Sequence, residues 1–223
     1  ISARSERTYR TFYTALYHAL LMPTLVQDAD GTYVGMDRAQ HRAEGFTYYS
    51  DLSLWDTFRT LHPLITWWFP AFQRDFNRSM VAMAREGGAI DRWPLGIGAT
   101  GGMLGDSAAI VLADSWQRGE RQFDLRAAYN VLHQAATNTQ PAAVTYGRRS
   151  GIEDYLSLGY VSIDSGDRSV ALTLEYAYND SALATMAEAL GETAAATQYR
   201  QRARNYRNVY DPASTYLVGR RRD

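Results

Sequence analysis

The chain has 223 residues, 46% of them hydrophobic and 21% charged, with a formal net charge of −1 at pH 7. This is the composition of a globular chain with a sizeable core, and it carries no global field that would draw it to nucleic acid or to an anionic membrane. Cysteine is absent, which excludes disulfides, thiolate metal sites and a cysteine nucleophile.

The first helix is expected over 11–21, where Phe12, Ala15, Leu16, Ala19 and Leu20 form one apolar stripe and Pro23 ends it. A long loop follows to about Asp51, with turn signals at Asp30-Gly31 and Gly35. Asp28-x-Asp30-Gly31 resembles the opening of an EF-hand loop, but loop position twelve is Ala39 instead of Glu, which leaves a turn. A second helix is expected over 54–61, with Leu54, Phe58, Leu61 and Ile65 on one face and His62-Pro63 bending or ending it. A third is expected over 71–86, with Phe72, Phe76, Met80 and Met83 inward, Arg74, Asp75, Arg78 and Arg85 outward, and Gly87-Gly88 as its stop. The longest apolar run, Leu64 to Phe72, is about half the ~20 residues of a membrane span and is broken by Pro70.

Residues 92–106, RWPLGIGATGGMLGD, read as a glycine-rich loop with apolar anchors. Gly96-x-Gly98-x-x-Gly101 has the letters of a dinucleotide fingerprint, but no strand precedes it and no βαβ unit surrounds it. The helix over 108–118 is apolar nearly all round and should be buried. Asp124 caps a helix over 125–136, and 138–151 read as loop. A short helix over 152–158 ends at Gly159. A long one from Ser169 to Leu190 is closed by Gly191, and a last one over 194–210 is stopped by Asp211-Pro212. These elements predict an all-α fold. Buried helices (54–61, 108–118, 170–190) alternate with one-sided ones (71–86, 125–136, 194–210), as in helical hairpins arranged in an inner and an outer ring.

His18, His41, His62 and His133 are scattered, without metal-ligand spacing, and suit core, capping or hinge roles. There is no GxSxG elbow. Arg200, Arg202, Arg204, Arg207 and Arg220 to Arg222 fit a solvated face better than a nucleic-acid surface.

The stretch YYSDLSLWDTFRTLH, residues 48–62, is the most informative. Trp55 and Asp56 fall in the first turn of the expected helix, where an indole can cover the apolar face of a sugar ring and a carboxylate can accept hydrogen bonds from its hydroxyls. Ser53-x-x-Asp56 also fits a capping box, and a first-turn Asp also suits the helix dipole. Three segments, 48–56, 93–106 and 160–175, each join aromatics, glycines and carboxylates ahead of a buried helix. In a ring of hairpins these tips converge at one end.

Six blocks resemble, in order and across nearly the whole chain, glycoside hydrolase family 92. They are TFYTALYHALLMP, GTYVGMD, FTYYSDLSLWDTFRTLHPL, GGAIDRWPLGIGATGGMLGDSA, SVALTLEYAYNDSALATMAEALG and RARNYRNVYDP. The resemblance implies a calcium-dependent exo-α-mannosidase that hydrolyses terminal α-mannosidic bonds, α-1,2 among them, with inversion. It also implies a β-sandwich domain followed by an (α/α)6 toroid, of which this chain would be the first half. By resemblance, the substrate-binding residues are Trp55, Asp56, Trp93, Met103, Asp106 and Glu175. Asp56 would bond sugar hydroxyls, residues 93–106 would form another wall, and Asp180 lies in the LEYAYND block, where Asn179 often has an Asp counterpart. The general acid (an EGNAWQY-like block) and the calcium and general-base residues (GNEP-like and GNDD-like blocks) are expected beyond Asp223.

The implied partners are mannose-containing glycans and the remainder of the toroid, and the implied location is secreted, periplasmic or cell-surface. The chain opens on Ile1 without a signal peptide and is expected to be a segment of a longer protein, inactive alone. Two other readings stay open at this stage: a trehalase-like or glucosidase-like (α/α)6 hydrolase, and a non-catalytic helical module that binds sugar or protein.

Overall fold

The computed structural model describes residues 5–139 and 146–223. Helices joined by small antiparallel hairpins make up the described chain. α1 (Glu6–Ala19) begins ahead of the expected start, because Ser5 caps it by accepting the Thr8 amide at 3.2 Å. Its apolar stripe stays outside the core, with no residue of α1 buried. The loop after α1 contains short strands, which the all-α expectation did not include. β1 (Thr24–Leu25), β2 (Thr32–Val34), β3 (Gln40–Arg42) and β4 (Tyr49–Ser50) form two ladders, β1 with β4 and β2 with β3. The Asp28–Gly31 stretch is a turn, with the Thr32 amide donating to Asp30 Oδ1 at 3.0 Å.

The expected 54–61 helix is two helices, the one-turn α2 (Leu54–Thr57) and then α3 (Leu61–Trp68). His62-Pro63 opens α3 instead of ending its predecessor. A proline in the first turn gives up only an amide that has no intrahelical acceptor. α4 (Pro70–Gly87) ends at Gly88 in the left-handed region, φ +70°. Phe76, Met80 and Met83 are inward as expected, but Phe72, in the first turn, is 48% exposed.

The glycine-rich loop folds into a tight hairpin, β5 (Pro94–Leu95) with β6 (Gly98–Ala99). α5 (Ala108–Gln117) is buried from Ala108 to Ala113, as its all-round apolar sequence requires. α6 (Leu125–Thr137) is capped by Asp124, which accepts the Ala127 amide at 2.9 Å. The loop expected over 138–151 falls partly outside the described residues. α7 (Ile152–Leu158) and α8 (Ser169–Ala189) match their expected limits to within a residue. α9 (Thr193–Arg202) is shorter than expected and gives way to a 3-10 turn over Asn205–Val209 and a hairpin, β7 (Tyr210–Asp211) with β8 (Tyr216–Leu217).

α8 is the central pillar and packs on α5, α6 and α9. The main core joins Leu54, Met80, Met83, the buried face of α5, Leu132 and Leu183. A smaller core under α7 joins Ile152, Tyr155, Val161, Leu172 and Tyr176. No helix of the described residues is long and apolar enough to cross a membrane.

His62 lies in a buried polar chain between α3, α4 and α5. Its Nδ1 donates to Gln73 Oε1 at 2.9 Å, and Gln73 Nε2 donates to Asn77 Oδ1 at 2.9 Å. Nε2 is buried without a partner, and burial pushes the imidazole pKa down to about 4. An unfolded histidine titrates near 6.5. The neutral ring is therefore fully compatible with folding above about pH 6.5, and stability is lost as pH falls from there towards 4, by about 3 kcal/mol in all. Urea midpoints measured between pH 7.5 and 4.5 should drop less steeply in His62→Gln than in the parent. Parallel curves would remove His62 from the acid response.

Candidate functional site

Backbone pairing brings two of the three expected tips together. The Leu52 amide donates to Pro94 O at 3.2 Å and the Leu54 amide to Arg92 O at 3.0 Å. This lays the start of α2 antiparallel to 92–94 and sets Trp55 and Asp56 beside the glycine-rich loop. From α8, Glu175 closes the group: the Trp55 indole Nε1 donates to Glu175 Oε1 at 3.0 Å, across 120 residues of sequence. The 160–169 segment does not join in this way. It is held by the C-terminal arm, with the Ile163 amide on Arg220 O at 2.9 Å and Ser162 Oγ on Arg220 O at 3.2 Å.

Trp55 is half-buried and oriented on both sides. The Arg59 guanidinium lies 4.2 Å from the ring centroid and also donates to Trp55 O, so one face of the indole is covered. Asp56 is exposed. The Ser53 hydroxyl makes no capping bond, so α2 starts without the capping box that the sequence allowed. Among the described residues the Asp56 carboxylate has no hydrogen-bond partner. Glu175 is half-buried, and its Oε2 is enclosed without a partner. Burial raises its pKa, against the lowering influence of the Trp55 bond and Arg59.

Arg92 shapes the wall opposite. Its guanidinium donates to three backbone carbonyls, Gly102 at 2.8 Å, Met103 at 3.1 Å and Gly105 at 2.9 Å. This holds Met103 at φ +57°, in the left-handed region that non-glycine residues seldom occupy, with its side chain 40% exposed. Gly105 approaches α8 so closely that a Cβ there would lie 2.8 Å from Asn179 Oδ1 and 3.1 Å from Glu175 Cβ. Trp93, half-buried beside this wall, holds Thr100 through its own carbonyl, which accepts Thr100 Oγ1 at 2.9 Å.

Asp106 has a different place from the other five. It is 3% exposed and is held by Arg149, with Nε to Oδ2 at 3.2 Å. Arg149 in turn donates to Asp180 Oδ1 at 2.6 Å, and Asp180 also accepts Arg202 Nε at 2.8 Å and Tyr155 Oη at 3.1 Å. Two cations and two carboxylates thus form a buried, neutral cluster joining the start of α5 to α8 and α9. Burial works against the Arg149 charge, but the Asp106 and Asp180 carboxylates outweigh it and raise its pKa. Sequence reasoning overlooked Arg149 and put Arg202 on a solvated face. Asn179 supports the same corner by accepting the Asp106 amide at 3.0 Å. No group of three or more His, Asp or Glu side chains that could hold a metal ion occurs among the described residues.

The described chain is thus a helical domain that sets an exposed carboxylate beside an oriented indole. The chain belongs to glycosyl hydrolase family 92, whose catalytic-domain model matches residues 1–223. It is similar to the family GH92 α-mannosidase BT3965 of Bacteroides thetaiotaomicron, solved in complex with mannoimidazole. The two are 34% identical with a TM-score of 0.89, over 99% of this chain and 28% of that one. It is also similar to the inverting mannosidase BT2199 of the same organism, at 33% identity and a TM-score of 0.87, over 96% of this chain and 29% of that one. An uncharacterized secreted glycosidase of Arthroderma benhamiae is 26% identical over 123 residues, 51% of this chain and 16% of the relative. The chain therefore spans less than a third of the length of these relatives.

Proposed function

We propose that this chain supplies one wall of the terminal-sugar subsite of an exo-acting α-mannosidase. The intact enzyme releases mannose from the ends of α-linked glycans, α-1,2 linkages among them, with inversion. The observation that carries this reading is the exposed, unpaired Asp56 beside an indole anchored to Glu175. The similarity to two mannosidases over nearly all of this chain supports the sugar assigned, and the name of one of them supports inversion.

In this reading Asp56 accepts hydrogen bonds from ring hydroxyls, the face of Trp55 away from Arg59 covers the sugar's apolar side, and Trp93 and Met103 bound the other wall. Asp106 acts from behind, fixing the end of that wall through Arg149. Inversion requires an acid and a base with carboxyl groups about 6.5–9.5 Å apart. Asp106 is committed to Arg149 and is not available as either. The reacting pair and the ligands of a calcium ion are proposed to come from the rest of an (α/α)6 toroid that this chain helps to form. Among the described residues no three His, Asp or Glu side chains are grouped to hold that ion. Export from the cell fits the secreted relative.

The test assays the intact enzyme and residues 1–223 side by side on an aryl α-mannoside and on α-1,2-mannobiose, with and without chelator, following the product anomer by NMR. The intact enzyme should release β-mannose first and lose activity with the chelator, and residues 1–223 should show no turnover. Release of α-mannose first, or turnover by residues 1–223, would overturn the assignment.

A further inference from the structure

One residue reaches both walls of the subsite. The Arg92 carbonyl accepts the Leu54 amide at 3.0 Å, at the head of the turn that carries Trp55 and Asp56. Its side chain crosses to the loop opposite. There Nε donates to Gly102 O at 2.8 Å and Met103 O at 3.1 Å, and Nη1 donates to Gly105 O at 2.9 Å. The guanidinium is planar and holds its donors in a fixed fork, so one rigid group sets three carbonyls within residues 102–105. The Trp93 ring backs the same loop, lying 3.5 Å from where a Cβ on Gly102 would stand.

Met103 is the exception in this loop. Its φ of +57° is left-handed, as at Gly101 (+64°) and Gly105 (+76°) on either side. Glycine takes that conformation freely, whereas a residue with a side chain is strained there. Core packing does not offset the strain, because Met103 is 40% exposed and joins no hydrophobic cluster among the described residues. Leu104 does the anchoring, packed on the smaller core. The turn itself gives no reason for a side chain at position 103. A flexible thioether held out from a fixed backbone suits contact with the apolar face of a ligand.

We propose, on the subsite reading above, that Arg92 is a positioning residue: by fixing the carbonyls of 102–105 it holds the Met103 side chain against the terminal sugar. The test measures kcat, KM and thermal melts of the intact enzyme on an aryl α-mannoside, for Met103→Ala, Met103→Gly, Arg92→Met and the Arg92→Met/Met103→Ala pair. A contact made equally in the ground and transition states shows in KM with kcat unchanged. Met103→Ala should therefore raise KM about tenfold, and Arg92→Met should do the same while also lowering Tm. The pair should be no worse than Arg92→Met alone, because the methionine is already misplaced. A purely structural Arg92 would lower Tm but let the two KM effects multiply to about a hundredfold, and that result would overturn the proposal. Met103→Gly relieves the strain, so it should hold or raise Tm while raising KM about tenfold. This variant keeps the test valid if Arg92→Met fails to fold, since an unchanged KM in Met103→Gly overturns the proposal by itself. Asp56→Ala is assayed alongside. If it is unimpaired, the subsite reading falls and this proposal with it. If it is impaired while Met103→Gly keeps its KM, the subsite reading stands and only the role of Arg92 is lost.

Discussion

Replacing Asp56 with alanine should lower kcat/KM of the intact enzyme on α-mannosides by two to three orders of magnitude, about 3–4 kcal/mol of transition-state stabilisation. It should leave folding nearly untouched. Asp56 is exposed, Ser53 makes no cap, and the carboxylate holds no neighbour among the described residues. What the fold itself would lose is a dipole interaction, typically about 0.3–1 kcal/mol. A hydroxyl contact that tightens as the sugar ring distorts can contribute several kcal/mol. Asp56→Asn, which retains one acceptor, should fall between the two. The measurement is kcat and KM for the three proteins with thermal melts alongside. An active Asp56→Ala enzyme with a clearly lowered Tm would return Asp56 to a structural role.

The largest stability loss is expected at Asp180. Its removal leaves Arg202 with no carboxylate partner and Arg149 with Asp106 alone in a buried corner. Breaking a buried ion pair from one side typically costs about 3–5 kcal/mol, because the surviving charge is left uncompensated. That is a large part of the 5–15 kcal/mol that usually stabilises a domain. Asp180→Ala should therefore shift the urea midpoint drastically, whereas Asp180→Leu combined with Arg202→Met, which removes one charge of each sign and leaves the Arg149–Asp106 pair intact, should recover much of the loss. A loss below about 1 kcal/mol in Asp180→Ala would mean that the cluster is hydrated and weak. The activity consequence is indirect, since Arg149 holds Asp106 at the end of the wall that carries Met103 and Gly105.

Helix positions were legible because their signals are local. Periodic apolar residues report which face is buried, and Gly88, Gly159 and Gly191 sit at helix ends with positive φ. The break between α2 and α3 was misread because the same His62-Pro63 pair can close one helix or open the next. Trp55 and Asp56 could be nominated from their neighbours, and the family from six blocks in order.

Tertiary structure alone decided between the two fates of each carboxylate. Asp56 and Asp106 read alike in sequence, as acids at the head of a helix. One faces outward, and the other meets an arginine 43 residues away. The Trp55–Glu175 bond spans 120 residues and the Arg202–Asp180 pair 22. Hydrophobic burial is recorded in the chain as a repeating pattern. An ion pair between distant elements leaves no periodic trace, because each partner is a single polar residue whose surroundings exist only after the helices have packed.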